Sequence, residues 1–198
     1  DARRIAPDVL HAAERADQAA ASRNGGAGSA MATPWPHTPL PVLNERDRRT
    51  AVWWGITAFS HTFGRAPEGM LLPGSAVDVP TLDALAEQGI LYTVLRAHQI
   101  AAVQDPTDAG WVDVDPSTID TARPYLVRLP SGRQMVVAVV PSGVVAPIAD
   151  GSALTSPEAF VSHVLGALPD AEDGLLVLPT ELAWFGRDHA GGETALAA

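Results

Sequence analysis

Five aspartates crowd into one short stretch of the chain, and carboxylates at this density could bind a calcium ion. They are Asp105, Asp108, Asp113, Asp115 and Asp120. A calcium-binding loop supplies its oxygen ligands at alternate positions and closes with a bidentate glutamate. This stretch has neither that spacing nor that glutamate. We therefore expect a solvated acidic loop over residues 104–122, and neither a metal site nor another cofactor.

Residues for nucleophilic or zinc chemistry are sparse elsewhere. All thirteen basic residues are arginine and there is no cysteine, which excludes a Schiff-base lysine, a thiolate nucleophile and a disulfide. His61, His163 and His189 are far apart and form no H-x-x-x-H pair, which argues against a zinc site. Ser131 and Ser142 each precede a glycine in a predicted turn, but neither lies in a G-x-S-x-G motif.

Tryptophan side chains suggest a different kind of site, because the faces of aromatic rings stack on sugar rings. Trp35, Trp111 and Trp184 lie in predicted loops, where they could form such a platform. Packing against the core is the alternative for each of them. Trp53 and Trp54 lie in a predicted helix, and we expect at least one of them in the core.

The composition predicts one globular domain over residues 1–198. Hydrophobic residues make up 46% of the chain, and the mean hydropathy is +0.08. No apolar run approaches the roughly 18 residues of a membrane helix, and the first residues do not read as a signal peptide. The net charge of -10 disfavours a nucleic-acid partner. We expect a cytoplasmic protein without membrane contact.

Periodicity and capping residues predict the elements that position these side chains. Apolar residues at helical spacing predict a helix over residues 7–23. Four prolines between positions 34 and 41 predict a loop over residues 24–43. Asn44 is a good N-cap for a helix that Gly64 ends.

A strand over residues 69–72, a helix over 80–89 capped by Asp78, and a strand over 90–95 form a predicted parallel crossover. A hairpin is predicted between strands 125–129 and 134–140. The remaining predicted elements are a strand over 144–148, a helix from Ser156 to about Leu168, a strand over 175–178, and a helix start at Gly191.

Residues 67–78 read P-E-G-M-L-L-P-G-S-A-V-D. This run resembles the nucleophile motif of glycoside hydrolase family 57, whose bacterial branch with an extra domain of unknown function reads P-E-G-M-W-L-P-E-T-A-V-D. Other blocks resemble that branch in the same order, at residues 44–50, 82–90, 97–99, 119–125 and 129–133. Several blocks in order are far more specific than one short motif.

The resemblance implies an α/β fold, an incomplete or degenerate (β/α)7 barrel. The family's opening strand carries a His-x-His motif that has no equivalent here, and its helical C-terminal region is also missing. The chain therefore resembles the middle of a barrel. Open sheet edges tend to pair with other chains, so we expect a protein partner, a homo-oligomer or a longer parent chain.

The resemblance also implies a catalytic pair that has decayed. Retaining glycosidases need a nucleophile and an acid/base with carboxyl groups roughly 5 to 5.5 Å apart. Gly74 falls on the nucleophile glutamate, and glycine has no side chain. Glu181 falls on the acid/base aspartate. Ala183 replaces a second glutamate, and Arg187 and Asp188 replace two histidines.

A third block, residues 26–33, resembles the family's G-H-G-N-A-I-A-Q with Ala27 in place of the histidine. Some matching residues persist: His37 and His98 fall on family histidines, and Trp111 falls on an aromatic position. The expected substrate-binding residues are His37, His98, Trp111, Trp184 and Trp35.

Three hypotheses follow. The chain is a non-catalytic family-57-like domain, a pseudoenzyme, that binds a glucan or another protein without cleaving it. Alternatively, it is an α-glucan-active retaining hydrolase or glucanotransferase with Glu181 as the acid/base. In the third reading it is an assembly subunit whose open edges are covered by other chains.

Overall fold

The fold is mixed α/β, as the sequence predicts. The computed structural model describes residues 2–105, 107, 110–170 and 173–197. The chain divides into two compact units, the first made of Asp1–Val94 and Leu126–Val137 and the second of Leu95–Tyr125 and Ala138–Ala198. The prediction of a single domain over residues 1–198 stays a prediction.

The helices and strands have the following bounds. The helices are α1 (Ala2–Ile5), α2 (Pro7–Arg23), α3 (Glu45–Phe63), α4 (Val79–Glu87), α5 (Ala146–Ala149) and α6 (Pro157–Gly166). The strands are β1 (Tyr92–Arg96), β2 (Ala102–Gln104), β3 (Trp111–Asp113), β4 (Tyr125–Arg128) and β5 (Gln134–Val140). One sheet has the order β1-β5-β4, and β2 and β3 form a second, two-stranded sheet. Over the described residues these strands do not close into a barrel.

The predicted helix caps are confirmed. Asn44 accepts a hydrogen bond from the backbone N–H of Asp47, and Gly64 ends α3 in the left-handed conformation. Asp78 accepts from the N–H of Thr81 at the start of α4, and Ser156 accepts from Ala159 at the start of α6. Each cap satisfies a donor that the first turn of the helix leaves free.

The parallel crossover and the hairpin are also confirmed. A parallel bridge joins Gly69 to Tyr92, and α4 lies between them in sequence. In the hairpin, Leu129 donates to the carbonyl of Arg133 at 2.9 Å, and Gly132 donates to Leu129. The predicted strand over 69–72 is shorter than expected, since only isolated bridges at Gly69 and Met70 form there.

Three local predictions are wrong. The predicted loop over 104–122 contains β3, which pairs antiparallel with β2, with Val103 opposite Val112. Residues 144–148 contain α5 rather than a strand, because Pro147 cannot donate to a sheet ladder yet fits the first turn of a helix. Residues 175–178, all within the described part, form no strand, and Leu175 makes a single bond to the carbonyl of Ala122.

Each unit has its own buried side chains. In the first unit, Leu40, Val52, Met70, Leu85 and Ile90 are almost fully buried. The second unit has two apolar clusters. One contains Ile148, Ala153, Leu154, Phe185 and Ala195, and the other contains Ala97, Ile119 and Val139. None of the described helices combines the length and apolar character needed to cross a membrane.

Candidate functional site

Gly74 is the exposed residue of a tight turn, Pro73–Ser75, that follows the bridges at residues 69 and 70. Its backbone is left-handed, with φ 61° and ψ 16°, and a Cβ atom built on it would meet nothing within 4 Å. Ser75 donates its N–H to Leu72 at 3.0 Å and itself has φ 55°. A glutamate at position 74 would have room, but it would have to adopt a conformation that costs roughly 1–2 kcal/mol for a residue with a Cβ atom.

A parallel bridge places the third family-like block beside the nucleophile-like block. Ala32 donates to the carbonyl of Gly69 at 3.0 Å, and Leu71 donates to Ala32 at 2.8 Å. Because the two segments run in the same direction, the residues after Ala32 and those after Leu71 leave from the same edge. The loop that carries Trp35 and His37 therefore starts from the edge at which the Gly74 turn begins.

Trp35 and His37 lie on the surface of the first unit. The N–H of Trp35 donates to the carbonyl of Ala51 in α3 at 2.9 Å, while its side chain is 62% exposed. The approach of this loop to α3 requires Gly55, because a Cβ atom there would overlap the carbonyl oxygen of Thr33. The backbone of Trp35 is thus held and its indole is open to solvent, as a sugar-stacking role requires.

Glu181 is exposed in the second unit. Its backbone is extended, and its carbonyl accepts from the N–H of Trp184 across the turn Leu182–Trp184. Arg187 and Asp188, at the positions of two family histidines, pair with each other, with Nε and Oδ1 2.8 Å apart. This contact raises the pKa of Arg187, to which Glu181 makes a smaller contribution. The same contact lowers the pKa of Asp188, with a smaller contribution from His189. The two replacements therefore neutralise each other.

The other predicted sugar contacts in the second unit differ in exposure. His98 is exposed in the turn Ala97–Gln99. Trp111 is 70% exposed on β3, opposite Gln104. Trp184 is partly buried against the apolar cluster that contains Phe185, so packing accounts for much of its surface.

The expectation for the helical tryptophans is wrong. Trp53 is 56% exposed and Trp54 is 45% exposed, so neither belongs to the core. The buried positions of α3 are Arg48, Ala51, Val52, Gly55 and Phe59. These residues recur at helical spacing and form the buried face, and Trp53 and Trp54 lie outside it.

The acidic stretch uses its carboxylates for local turns. Asp105 accepts from the N–H and hydroxyl of Thr107, and Asp115 accepts from Ser117 and Thr118. These bonds lower the pKa of both aspartates. Asp108 lies outside the described residues. Among the residues that are described, no group of three or more histidine, aspartate or glutamate side chains could hold a metal ion.

One buried charged pair was not predicted. Asp17 in α2 is 1% exposed, and its two carboxylate oxygens each accept a hydrogen bond from the guanidinium of Arg65, at 2.9 Å and 2.9 Å. These bonds hold the pKa of Asp17 below its usual range and raise that of Arg65. A sequence signal exists, since Asp17 falls seven residues after Leu10 and three before Ala20, on the same face of the helix.

The predicted site residues divide between the two units. Gly74, Trp35 and His37 belong to the first unit. Those in the second unit are Glu181, His98, Trp111 and Trp184. A face-to-face arrangement of positions 74 and 181 stays a prediction of the family resemblance, and so do the individual sugar contacts.

Comparison with known proteins supports the family-57 resemblance. The family model described as Glycosyl hydrolase family 57 matches residues 20–133. No curated protein matches the sequence significantly.

Solved structures share the fold. A GH57-type branching enzyme from Pyrococcus horikoshii has a TM-score of 0.69 at 16% identity, over 99% of this chain and 45% of that one. A GH57 branching enzyme from Thermococcus kodakaraensis, in complex with glucose, has a TM-score of 0.68 at 16% identity, over 98% of this chain and 46% of that one. A 4-alpha-glucanotransferase from Thermococcus litoralis has a TM-score of 0.53 at 15% identity, over 72% of this chain and 20% of that one.

The chain thus spans less than half the length of these solved proteins. Their similarity confirms the predicted fold class, an incomplete barrel of the family 57 type.

Proposed function

Because the chain belongs to glycosyl hydrolase family 57, and so has a carbohydrate-related function, we propose that it is a pseudoenzyme that binds an α-glucan without cleaving it. The observation that carries this proposal is the turn at Gly74. The nucleophile-like block is retained around it, but position 74 has no side chain and has a left-handed backbone. A glycosidase nucleophile must be a positioned side chain.

Substitutions at the other candidate catalytic positions also support a loss of catalytic activity. At position 181 a glutamate stands where the family has an aspartate, and the longer side chain would move its carboxyl group by about an angstrom, which positioned catalysis tolerates poorly. Arg187 and Asp188 replace two polar family residues and pair with each other. Substitutions at separate blocks are typical of a site that has decayed on a retained scaffold.

An α-glucan is the proposed ligand class for two reasons. Among the similar solved proteins, one is a 4-alpha-glucanotransferase and another is in complex with glucose. In addition, Trp35 presents an exposed indole on a loop whose backbone is anchored to α3. An aromatic face held in this way offers a stacking surface at little entropic cost. His37, His98, Trp111 and Trp184 are the further proposed contacts.

The experiment is a titration of the purified protein with maltoheptaose, in which calorimetry and tryptophan fluorescence detect binding. We expect saturable binding that Trp35→Ala weakens by about 10-fold, the loss of roughly one stacking contact. Trp53→Ala is the matched control, since it removes an equally exposed indole from α3 and should leave the affinity unchanged. A flat titration of the unmodified protein would contradict glucan binding and favour a role as an assembly subunit.

The alternative function is a hydrolase or glucanotransferase with Glu181 as the acid/base and a carboxylate from elsewhere. A reducing-end assay with the same glucan distinguishes it. Release of reducing ends that Glu181→Gln abolishes would overturn the pseudoenzyme proposal. We also propose that the chain binds a protein partner or forms a homo-oligomer, and that it is located in the cytoplasm.

A further inference from the structure

Asp17 and Arg65 form hydrogen bonds with the backbone of the loop that leads to Trp35. The N–H of Ala30 donates to Oδ1 of Asp17 at 2.7 Å, and Nη2 of Arg65 donates to the carbonyl of Ala30 at 3.1 Å. The ion pair thus satisfies both backbone groups of one residue. We refer to these contacts of Asp17 and Arg65 with each other and with Ala30 as the clasp.

The surroundings of the clasp hold it in one geometry. Arg65 also donates to Glu68, and its guanidinium lies over the ring of Phe59, 4.9 Å from the centroid. Gly28 approaches so closely that a Cβ atom there would overlap the Asp17 carboxylate and the Arg65 guanidinium. A planar, always charged guanidinium is the group suited to such a bidentate buried contact.

The clasp is the first of three anchors along this loop. The second is the bridge of Ala32 to Gly69 and Leu71, and the third is the N–H of Trp35 on the carbonyl of Ala51. All three lie in the first unit. The clasp is the anchor made by charged side chains, and it joins α2 to the residues just after α3.

A buried ion pair of this kind is weak evidence for a stabilising role. Apolar residues of similar volume often replace such a pair with little change in stability, whereas buried polar groups can select one conformation. The hydrogen bonds to Ala30 are what an apolar replacement could not reproduce. The particular contribution of the clasp is therefore the position of the backbone at residues 28–32.

We propose that Asp17 and Arg65 are positioning residues for the glucan site, because the clasp fixes the loop segment 28–32 in the register that presents Trp35 and His37. The inference rests on the proposed function for its ligand. Neither residue contacts the sugar; both act through the backbone of Ala30.

The test compares three variants of the full chain. Asp17→Leu combined with Arg65→Met removes the clasp while conserving side-chain volume, and Gly28→Ala wedges it apart without removing a charge. Gly166→Ala is the control, because a Cβ atom at that position meets nothing within 4 Å. Amide hydrogen exchange over residues 28–35, thermal midpoints and maltoheptaose affinity are measured for each.

We expect the double variant to keep a thermal midpoint within about 5 °C of the unmodified protein. Gly28→Ala should lower the midpoint further, because a Cβ atom there pushes two buried charged groups apart. Exchange at Ala30 and its neighbours should rise at least about 10-fold, and maltoheptaose should bind about 10-fold more weakly. A fourth variant, Arg65→Lys, keeps the charge but lacks the planar guanidinium. Its exchange rate and its affinity should fall between those of the unmodified protein and those of the double variant.

Two results would overturn the proposal. One is unchanged exchange at residues 28–32 in the double variant, and the other is raised exchange with unchanged glucan affinity. If the unmodified protein binds no maltoheptaose, glucan binding is contradicted, but the positioning role of the clasp can still be tested. The NMR resonance of the Trp35 indole N–H then reports whether the clasp variants change the environment of Trp35. An unshifted resonance in both clasp variants would count against positioning, and a shifted one would support it.

Discussion

Asp17 and Arg65 are 48 residues apart in sequence, yet the two carboxylate oxygens of Asp17 each accept a hydrogen bond from Arg65. Side chains of α2 and of the segment after α3 meet in this contact, and Asp17 is buried there. A buried carboxylate must be paired to remain charged. The pair therefore makes the free energy of unfolding of the first unit depend on the protonation of Asp17.

Acid should weaken the first unit through Asp17. Arg65, followed by the N–H of Ala30, lowers the pKa of Asp17 from its ordinary value of 3.8. Below that value the unfolded chain binds a proton that the folded chain does not, so the free energy of unfolding falls as pH falls through the folded pKa. Above about pH 4 the contribution is fully present. Chemical denaturation between pH 2 and 6 measures it.

Asp17→Asn is the matched variant for that acid dependence. It should cost about 3 kcal/mol at neutral pH, because the buried guanidinium of Arg65 loses its bidentate carboxylate partner and retains the contact with Glu68. It should also flatten the acid limb of the stability curve relative to the unmodified protein. Identical slopes for the two proteins below pH 4 would show that other carboxylates carry the dependence.

Gly74 should tolerate asparagine better than alanine. With φ 61°, the backbone favours glycine, and asparagine accepts the left-handed region more readily than alanine does. We expect Gly74→Ala to cost about 1 kcal/mol in urea denaturation and Gly74→Asn less. Equal costs would mean that the turn relaxes.

Gly74→Glu restores the missing carboxylate at this turn. We expect it to be destabilised by about 1 kcal/mol, like Gly74→Ala, and to release no reducing ends from maltoheptaose, because the backbone does not hold the carboxylate in a reactive geometry. Hydrolysis by this variant would show that the turn still holds a carboxylate in a reactive geometry.

Gly69 should not tolerate even a methyl group. A Cβ atom there would overlap the ring of Tyr92, the strand residue with which Gly69 forms a parallel bridge. We expect Gly69→Ala to cost about 2 kcal/mol or more, as overpacking does elsewhere. Gly166→Ala, with open space around it, should be neutral or stabilising. Similar thermal midpoints for the two variants would contradict this packing.

Asp78 should act as a helix cap and not as a substitute nucleophile. Its carboxylate accepts from the N–H of Thr81 at 2.8 Å and lies 3.7 Å from the guanidinium of Arg48. Asp78→Ala should cost about 1 kcal/mol, and Asp78→Ser, which retains a capping oxygen, less. Maltoheptaose affinity should be equal in both. A loss of binding in Asp78→Ser would show a role beyond capping.

Sequence reasoning succeeded where the signal is local. Asn44 and Asp78 cap helices as predicted, and Ser156 caps the helix predicted to start there, since a capping side chain bonds to a backbone N–H only three residues away. The hairpin at Ser131 and Gly132 and the crossover that contains α4 follow from turn residues and periodicity in the same way. The family resemblance added what periodicity cannot supply, the type of barrel.

Sequence reasoning failed where distant contacts decide. The residues of β3 read as part of a polar loop because the stretch around them is rich in aspartate, and only pairing with β2 makes them a strand. The run 175–178 is apolar enough for a strand, yet among the described residues it forms no ladder, and Leu175 donates a backbone hydrogen bond to Ala122. Trp53 and Trp54 are exposed because Ala51, Val52 and Gly55 occupy the buried face of α3.

By itself, the sequence determined the capped starts of α3 and α4, the family and the absence of a side chain at Gly74, because each depends on residue identity or short-range spacing. Only the tertiary structure decided that the backbone at Gly74 is left-handed, that Ala32 bridges to Gly69 and Leu71, and that Asp17 pairs with Arg65. Such contacts join residues far apart in sequence, and their energies depend on burial, which no local pattern encodes.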